Sequence, residues 1–245
     1  IMLTSIVYPL GRGSKMNNLE IRYSLRSVES FGEKYGTIFI VGVDPGFLQW
    51  SEKLVHIPFA DRYDPFMNVW LKLREVSENK EVSEKFLYMN DDFFFVENFD
   101  CSNAPYATSG ESLRAQYYAE APLDEIKNKY HLTLRRTMEA LEKRGLTTFS
   151  YNTHQPVMFE KAKVAETFRE FANDLWQTPL SFRCCYGNLH KVEGSEYPAK
   201  VLKNNIESLH GRKTFALSNQ TTYDFASSFL QNLFPKPSRF EVEKC

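Results

Sequence analysis

Long apolar runs are missing from this 245-residue chain. Uninterrupted ones such as 38–41 and 93–96 fall far short of the roughly 18–20 residues a membrane span needs, so no span is expected. A surplus of one charge sign is missing too, with 30 Lys and Arg against 31 Asp and Glu. A general nucleic-acid binder needs clustered excess cations, and that class is set aside. The first ten residues are apolar but lack a basic leader and a small-residue cleavage site, so no signal peptide is expected. Cysteine is scarce. None of Cys101, Cys184, Cys185 and Cys245 sits in a C-x-x-C pair, and vicinal Cys184-Cys185 has poor disulfide geometry. No His and Cys stand at zinc-ligand spacing, and reduced thiols in a cytoplasmic protein are expected. Also absent are a third glycine of a dinucleotide fingerprint, a G-K-[ST] loop and a G-x-S-x-G elbow. Rossmann, P-loop and serine-hydrolase readings fail on those grounds.

What is present is material for a core: 42% apolar and 15% aromatic residues, which excludes disorder. One domain or a closely fused pair fits this length. Residues 3–8 read as a buried strand running into Pro9-Leu10-Gly11-Arg12-Gly13-Ser14. Asn17 is placed to cap a helix, with Glu20 completing a capping box. Ile21, Leu25 and Val28 form an apolar stripe of helical period, Arg22 and Arg26 share another face, and Gly32 or Gly36 ends the helix. Residues 37–43 read as a strand covered on both sides, completing a βαβ unit. A strand at 54–58 ends near Asp61, and a helix at 66–79 carries Phe66, Val69, Trp70 and Leu73. A strand at 86–89 stops at Asn90-Asp91-Asp92. Such alternation predicts an α/β fold, a mainly parallel sheet flanked by helices on both faces.

Beyond residue 97 the pattern is less regular, and the seam near 97–105 is the only plausible subdomain boundary. Loops or a small sheet are expected over 101–122, a helix over 123–144 and a strand pair over 149–159. A helix over 160–174, a strand over 181–192 and a short tail helix within 223–240 follow.

Four features bear chemistry. An apolar strand delivers Asp91 and Asp92 to its carboxyl edge, where open α/β sheets bind ligands. Adjacent carboxylates repel unless a cation lies between them, and a hard divalent ion held there could also hold a diphosphate. The alternative is an Asx turn ending the strand. Gly11-Arg12-Gly13-Ser14, leading into a helix, suits an anion or is a plain turn. Arg22 and Arg26 neutralise phosphate or pair with Glu29 and Glu33. His154, within Asn152-Thr153-His154-Gln155-Pro156, is a third metal ligand, a phosphate binder or simply a satisfied polar residue.

The run Asn18-Leu19-Glu20-Ile21-Arg22-Tyr23-Ser24-Leu25-Arg26-Ser27-Val28-Glu29, then Ile38-Phe39-Ile40-Val41-Gly42, then Phe86-Leu87-Tyr88-Met89-Asn90-Asp91-Asp92-Phe93-Phe94 resembles a bacterial group of sugar transferases. These are the capsule and O-antigen glycosyltransferases, galactofuranosyltransferases included. The same order is similar to the Stealth sugar-phosphate transferases. The likeness covers residues 3–97 well, continues weakly over 153–159 and returns over 233–241. Stealth proteins open on a block with an aspartate, whereas Ser5-Ile6-Val7-Tyr8-Pro9-Leu10-Gly11 has no carboxylate, which leaves glycosyl transfer ahead.

The resemblance implies a GT-A-like sheet, with residues 1–100 as the nucleotide-sugar half and 101–245 as a less regular acceptor half. By it Asp91 and Asp92 match a metal and nucleotide-sugar motif and His154 a histidine near the donor site; with the residue reading, Asp91, Asp92 and His154 are the candidate ligands for Mn2+ or Mg2+. Tyr8, Gly11, Arg12, Gly13, Arg22, Arg26 and Asn90 would receive a nucleotide-diphosphate sugar, UDP-linked. Asp92, Asp61 and Asp174 are the catalytic candidates, Asp61, Asp64 and Asp174 being possible bases for the acceptor hydroxyl. Phe93, Phe94, Phe95, Tyr117, Tyr118 and Trp176 stack on sugars or pack the core. The acceptor would be a glycan or lipid-linked glycan, met in the cytoplasm or at the inner face of the membrane beside a polysaccharide assembly complex.

Overall fold

In the computed structural model, residues 3–242 are described except 13, 15, 105, 109, 116–118, 176–178, 197–200, 205–208 and 219. Strand β1 (Thr4–Leu10) leads to helix α1 (Leu19–Phe31), the short β2 (Gly32–Glu33) and β3 (Tyr35–Gly42). Next come β4 (Leu54–Pro58), α2 (Pro65–Glu78), β5 (Lys85–Tyr88), β6 (Phe93–Phe95), β7 (Phe99–Asp100) and β8 (Ala107–Thr108). Helix α3 (Lys129–Glu142), β9 (Val157–Glu160), α4 (Lys161–Leu175) and α5 (Phe182–Leu189) follow. The last described elements are β10 (Ser195–Glu196), β11 (Val201–Leu202), β12 (Thr214–Leu217) and α6 (Tyr223–Leu233).

The central sheet has the order β4-β3-β1-β5-β9. Its first four strands are parallel, and β9 runs antiparallel to β5. The chain leaves β1 toward β3 and β4, and α2 then carries it back across to β5 on the other side of β1. The winding direction therefore reverses between β1 and β5, and a crevice opens beyond their carboxyl ends.

Helices cover both faces because successive strand residues point to opposite sides. Ile6, Tyr8, Leu10, Ile38, Ile40 and Leu87 pack with Ile21, Leu25 and Val28 of α1. Val7, Phe39, Val41 and Phe86 pack instead with Trp70 and Leu73 of α2, and with residues of α4 and α5. Both sets are fully buried, so the strands read as continuous apolar runs. Trp70 keeps its indole N–H satisfied on Leu180 O at 2.7 Å. A smaller sheet, β11-β12-β6, lies beside Asp91 and Asp92, with β12 antiparallel to β6.

The α/β class and mainly parallel sheet match expectation, and several local readings do not. Asn17 does not cap α1. Asn17 and Asn18 both adopt left-handed backbone (φ 51° and 57°), and the helix begins at Leu19. Ser14 Oγ instead accepts from Met16 N and Asn18 N and donates to Glu20 Oε2, so Glu20 closes no capping box. Residues 182–189 are helical rather than a strand. Phe182, Cys185, Tyr186 and Leu189 fall at i, i+3, i+4 and i+7, a spacing masked by strand-favouring aromatics. Of the pair expected over 149–159, only Val157–Glu160 forms a strand; Phe149 makes a single bridge to Ser112. Pro156, lacking an N–H, ends the ladder there. No helix among the described residues is long and apolar enough to cross a membrane.

Candidate functional site

The crevice at the β1–β5 switch is a cleft of about 430 Å³. One wall is the end of β1 and the turn after it, with Pro9, Gly11, Arg12 and Ser14. The opposite wall is the turn after β5, with Asn90, Asp91 and Asp92. Glu20 from the start of α1, Asp61 from the loop after β4 and Lys72 from α2 complete its charged lining. Four carboxylates thus face two cations.

Local structure explains why Asp91 and Asp92 sit at this edge. Met89 N donates to Val7 O, extending the parallel ladder to the last residue before the turn. Phe93 N then donates to Asn90 O, and Leu217 N of β12 donates to Asp92 O. The main chain is thereby pinned on both sides. Burial raises the pKa of Asp91, and the charge of Glu20 adds to that. Burial likewise raises that of Asp92, followed by the charge of Asp91, with Arg183 pulling the other way. Asp92 Oδ1 is buried and has no hydrogen-bond partner.

An orphaned carboxylate oxygen beside a second carboxylate, in a cleft of net negative charge, fits a hard divalent cation. Among the described residues no three or more His, Cys, Asp or Glu side chains stand close enough to hold a metal ion together. A cation here would draw its remaining oxygens from water or from a substrate, as Mg2+ commonly does. Asp91 and Asp92 would hold it.

His154 does not join that pair. It borders a second recess of about 200 Å³, together with Asn152, Tyr130 and Arg183. Asn90 lies on the boundary and lines both spaces. The Arg183 guanidinium stacks 4.9 Å over the Tyr88 ring and 5.3 Å from that of Phe93. Arg183 Nη2 and Asn152 Nδ2 are buried donors without partners. Desolvation of the imidazole, followed by the Arg183 charge, lowers the pKa of His154.

The other expected residues divide. Gly11, Arg12, Asn90 and Asp61 line the cleft. Gly13 lies outside the described residues, as do Tyr117, Tyr118 and Trp176. Tyr8 is wholly buried, its hydroxyl meeting Ser24 Oγ at 2.8 Å on the α1 side of the sheet, and it presents nothing to the cleft. Arg22 and Arg26 pair with neither Glu29 nor Glu33, and neither lines the cleft. Both grip Glu241, Arg22 Nη1 at 3.1 Å and Arg26 Nε at 2.7 Å, beneath the C-terminal segment. Asp174 sits in the last turn of α4, 2.6 Å from Arg144 Nη2, tying α4 to the end of α3. Asp64 caps α2, accepting from Phe66 N. Phe93, Phe94 and Phe95 are buried core residues.

Three charged residues of the cleft and recess carry no site signal in the sequence: Lys72, Arg183 and Glu20. Lys72 stands beside the apolar stripe of α2, where a lysine ordinarily runs its stem along the core and its ammonium into water. Arg183 fell in a segment read as a strand. Glu20, three residues past Asn17, has the spacing of a capping-box partner.

No known family's sequence pattern matches the chain, and no curated protein matches it.

Proposed function

We propose that this protein is a metal-dependent glycosyltransferase of GT-A type, moving a sugar from a nucleotide-diphosphate donor to a glycan or lipid-linked glycan in surface-polysaccharide synthesis. The observation that carries the reading is the cleft at the β1–β5 switch, walled by a glycine turn and by Asp91 and Asp92, with Asp92 Oδ1 unpartnered. The proposed location is the cytoplasm, a reducing compartment that suits the buried free thiols of Cys101, Cys184 and Cys185.

In this reading the donor diphosphate lies between the two walls. Asp91 and Asp92 would hold Mn2+ or Mg2+, which would supply countercharge for the diphosphate. The backbone at Gly11 and the Arg12 side chain, past the end of β1, would face the same group. The donor C1–oxygen bond breaks, the acceptor oxygen bonds to C1, and the hydroxyl proton passes to a carboxylate of the cleft. A nucleoside diphosphate leaves.

Sugar-1-phosphate transfer is a second reading, favoured by one observation. The recess across Asn90 holds two unpartnered buried donors, Arg183 Nη2 and Asn152 Nδ2, which suit a phosphoryl group. Incubation with a panel of nucleotide sugars, Mn2+ and sugar acceptors separates the two by product. Nucleoside diphosphate is expected; nucleoside monophosphate supports the second reading. Tight nucleotide binding with neither product would leave a sugar-binding module.

A further inference from the structure

From the contacts beneath the cleft we infer that Lys72 and Asp61 act as a latch that sets the shape of the donor-binding turn, making both positioning residues for the reaction proposed above. Lys72 is 2% exposed, although its ammonium reaches the cleft wall. Nζ donates to Leu10 O at 2.8 Å and lies 2.7 Å from Asp61 Oδ1. The other carboxylate oxygen of Asp61, Oδ2, accepts from Arg12 N at 3.1 Å. Two side chains from different elements thus hold two consecutive anchor points of the turn, the last carbonyl of β1 and the amide two residues on.

The surroundings are arranged to admit this latch. Leu10 O also accepts from Val43 N, so both of its lone pairs are used. Gly42, at φ 139°, faces the same carbonyl. A Cβ there would lie 1.8 Å from Leu10 O and 3.1 Å from Lys72 Nζ, so the meeting of strand end and ammonium requires a residue without a side chain.

A buried ammonium needs a fixed partner, and Asp61 supplies it. Oδ2 accepts from Arg12 N, and Oδ1 is ion-paired to Lys72 Nζ at 2.7 Å without hydrogen-bond geometry, so the Asp61 carboxylate is held at both oxygens. That argues for a positioning role and against service as the base for an acceptor hydroxyl, which needs a carboxylate free to take a proton.

The test uses the full chain and four variants: Lys72→Met, Lys72→Arg, Asp61→Asn, and the double change Lys72→Met with Asp61→Leu. The double variant removes both charges together, which protects the fold if a single change leaves a buried charge stranded. In the ligand-free protein, amide hydrogen exchange of the peptide spanning residues 9–14 is expected to speed up about tenfold in Lys72→Met and in the double variant. With UDP-sugars and Mn2+, the donor KM is expected to rise about tenfold while kcat stays within about threefold, with Lys72→Arg recovering most of the loss. Unchanged exchange in a folded variant overturns the inference, as does an unchanged donor KM. A fall in kcat of about a hundredfold at constant KM in Asp61→Asn also overturns it, since that marks a group acting on the reacting atoms. If the unmodified protein consumes no nucleotide sugar, the glycosyltransferase reading fails, and the exchange measurement alone decides the latch.

Discussion

Asp92 illustrates at the scale of one residue how a site can oppose the stability of its own fold. Asp92 is half-buried in the cleft wall beside Asp91, with Oδ1 itself buried and unbonded, so in the absence of a cation its charge costs free energy. Asp92→Asn keeps the shape and removes the charge. Without added metal it is expected to raise the thermal midpoint by about 2–4 °C, equivalent to about 1 kcal/mol for a chain of this size. Metal-dependent donor breakdown is expected to fall at least about a hundredfold. Scanning calorimetry and a nucleotide-release assay check the two halves. A lower midpoint would mean that the carboxylate has a structural partner at this sheet edge. The Asp91–Asp92 pair was visible in the sequence because an apolar strand ends in two acids, a local fact. Lys72 was not visible, because its partners are the carbonyl of Leu10 and the carboxylate of Asp61, brought together only when α2 packs across β1 and β3.

At the scale of elements, the C-terminal segment beyond α6 ties down α1. Glu241 receives Arg22 Nη1, Arg26 Nε and Arg26 Nη2, and also accepts from Ser238 N. Arg26 Nη1 donates to Phe234 O, and Phe240 is buried against the sheet. Burial alone would raise the pKa of Glu241. The bonds from Arg26 and Ser238 N and the charges of Arg26 and Arg22 more than reverse that, so it lies below its ordinary 4.5. A carboxylate with a depressed folded-state pKa stabilises fully above its unfolded value and loses that contribution as pH falls through the folded one. Glu241→Gln is expected to cost about 3 kcal/mol near neutral pH, the lower end for breaking a buried pair. The difference from the unmodified protein should shrink progressively below pH 4.5. Urea unfolding at pH 7 and at successively lower pH measures both, and a pH-independent difference would reject the ionic account. In the sequence Arg22 and Arg26 have Glu29 and Glu33 seven positions on and an anion-suited loop before them, all within or beside the same helix. Their actual partner stands 219 and 215 positions away, beyond the reach of any periodicity argument.

For the whole molecule, the cleft joins parts of the chain that fold on both sides of the sheet. β1 and β5 supply its walls, α1 and α2 its charged floor, and β12 steadies the Asp92 turn. A cation bound there stabilises only the folded chain. At a free concentration a hundredfold above its dissociation constant, Mn2+ is expected to add about 2.7 kcal/mol to unfolding stability. Thermal midpoints across a Mn2+ titration test this, and the increment should vanish in Asp92→Asn. An equal increment in the variant would place the metal elsewhere.

The sequence by itself determined the α/β class, the order of the first strands and helices, and the placement of two acids past a buried strand. Each depends on hydrophobic period and on turn residues within a few positions of one another. The return of α2 across β1, which decides where the cleft opens, came only from tertiary structure. So did the latch under the cleft, the recess of His154 and Arg183, and the partner of α1's arginines. Side-chain charge seeks the nearest countercharge in space, and spatial neighbours are set by how the layers pack.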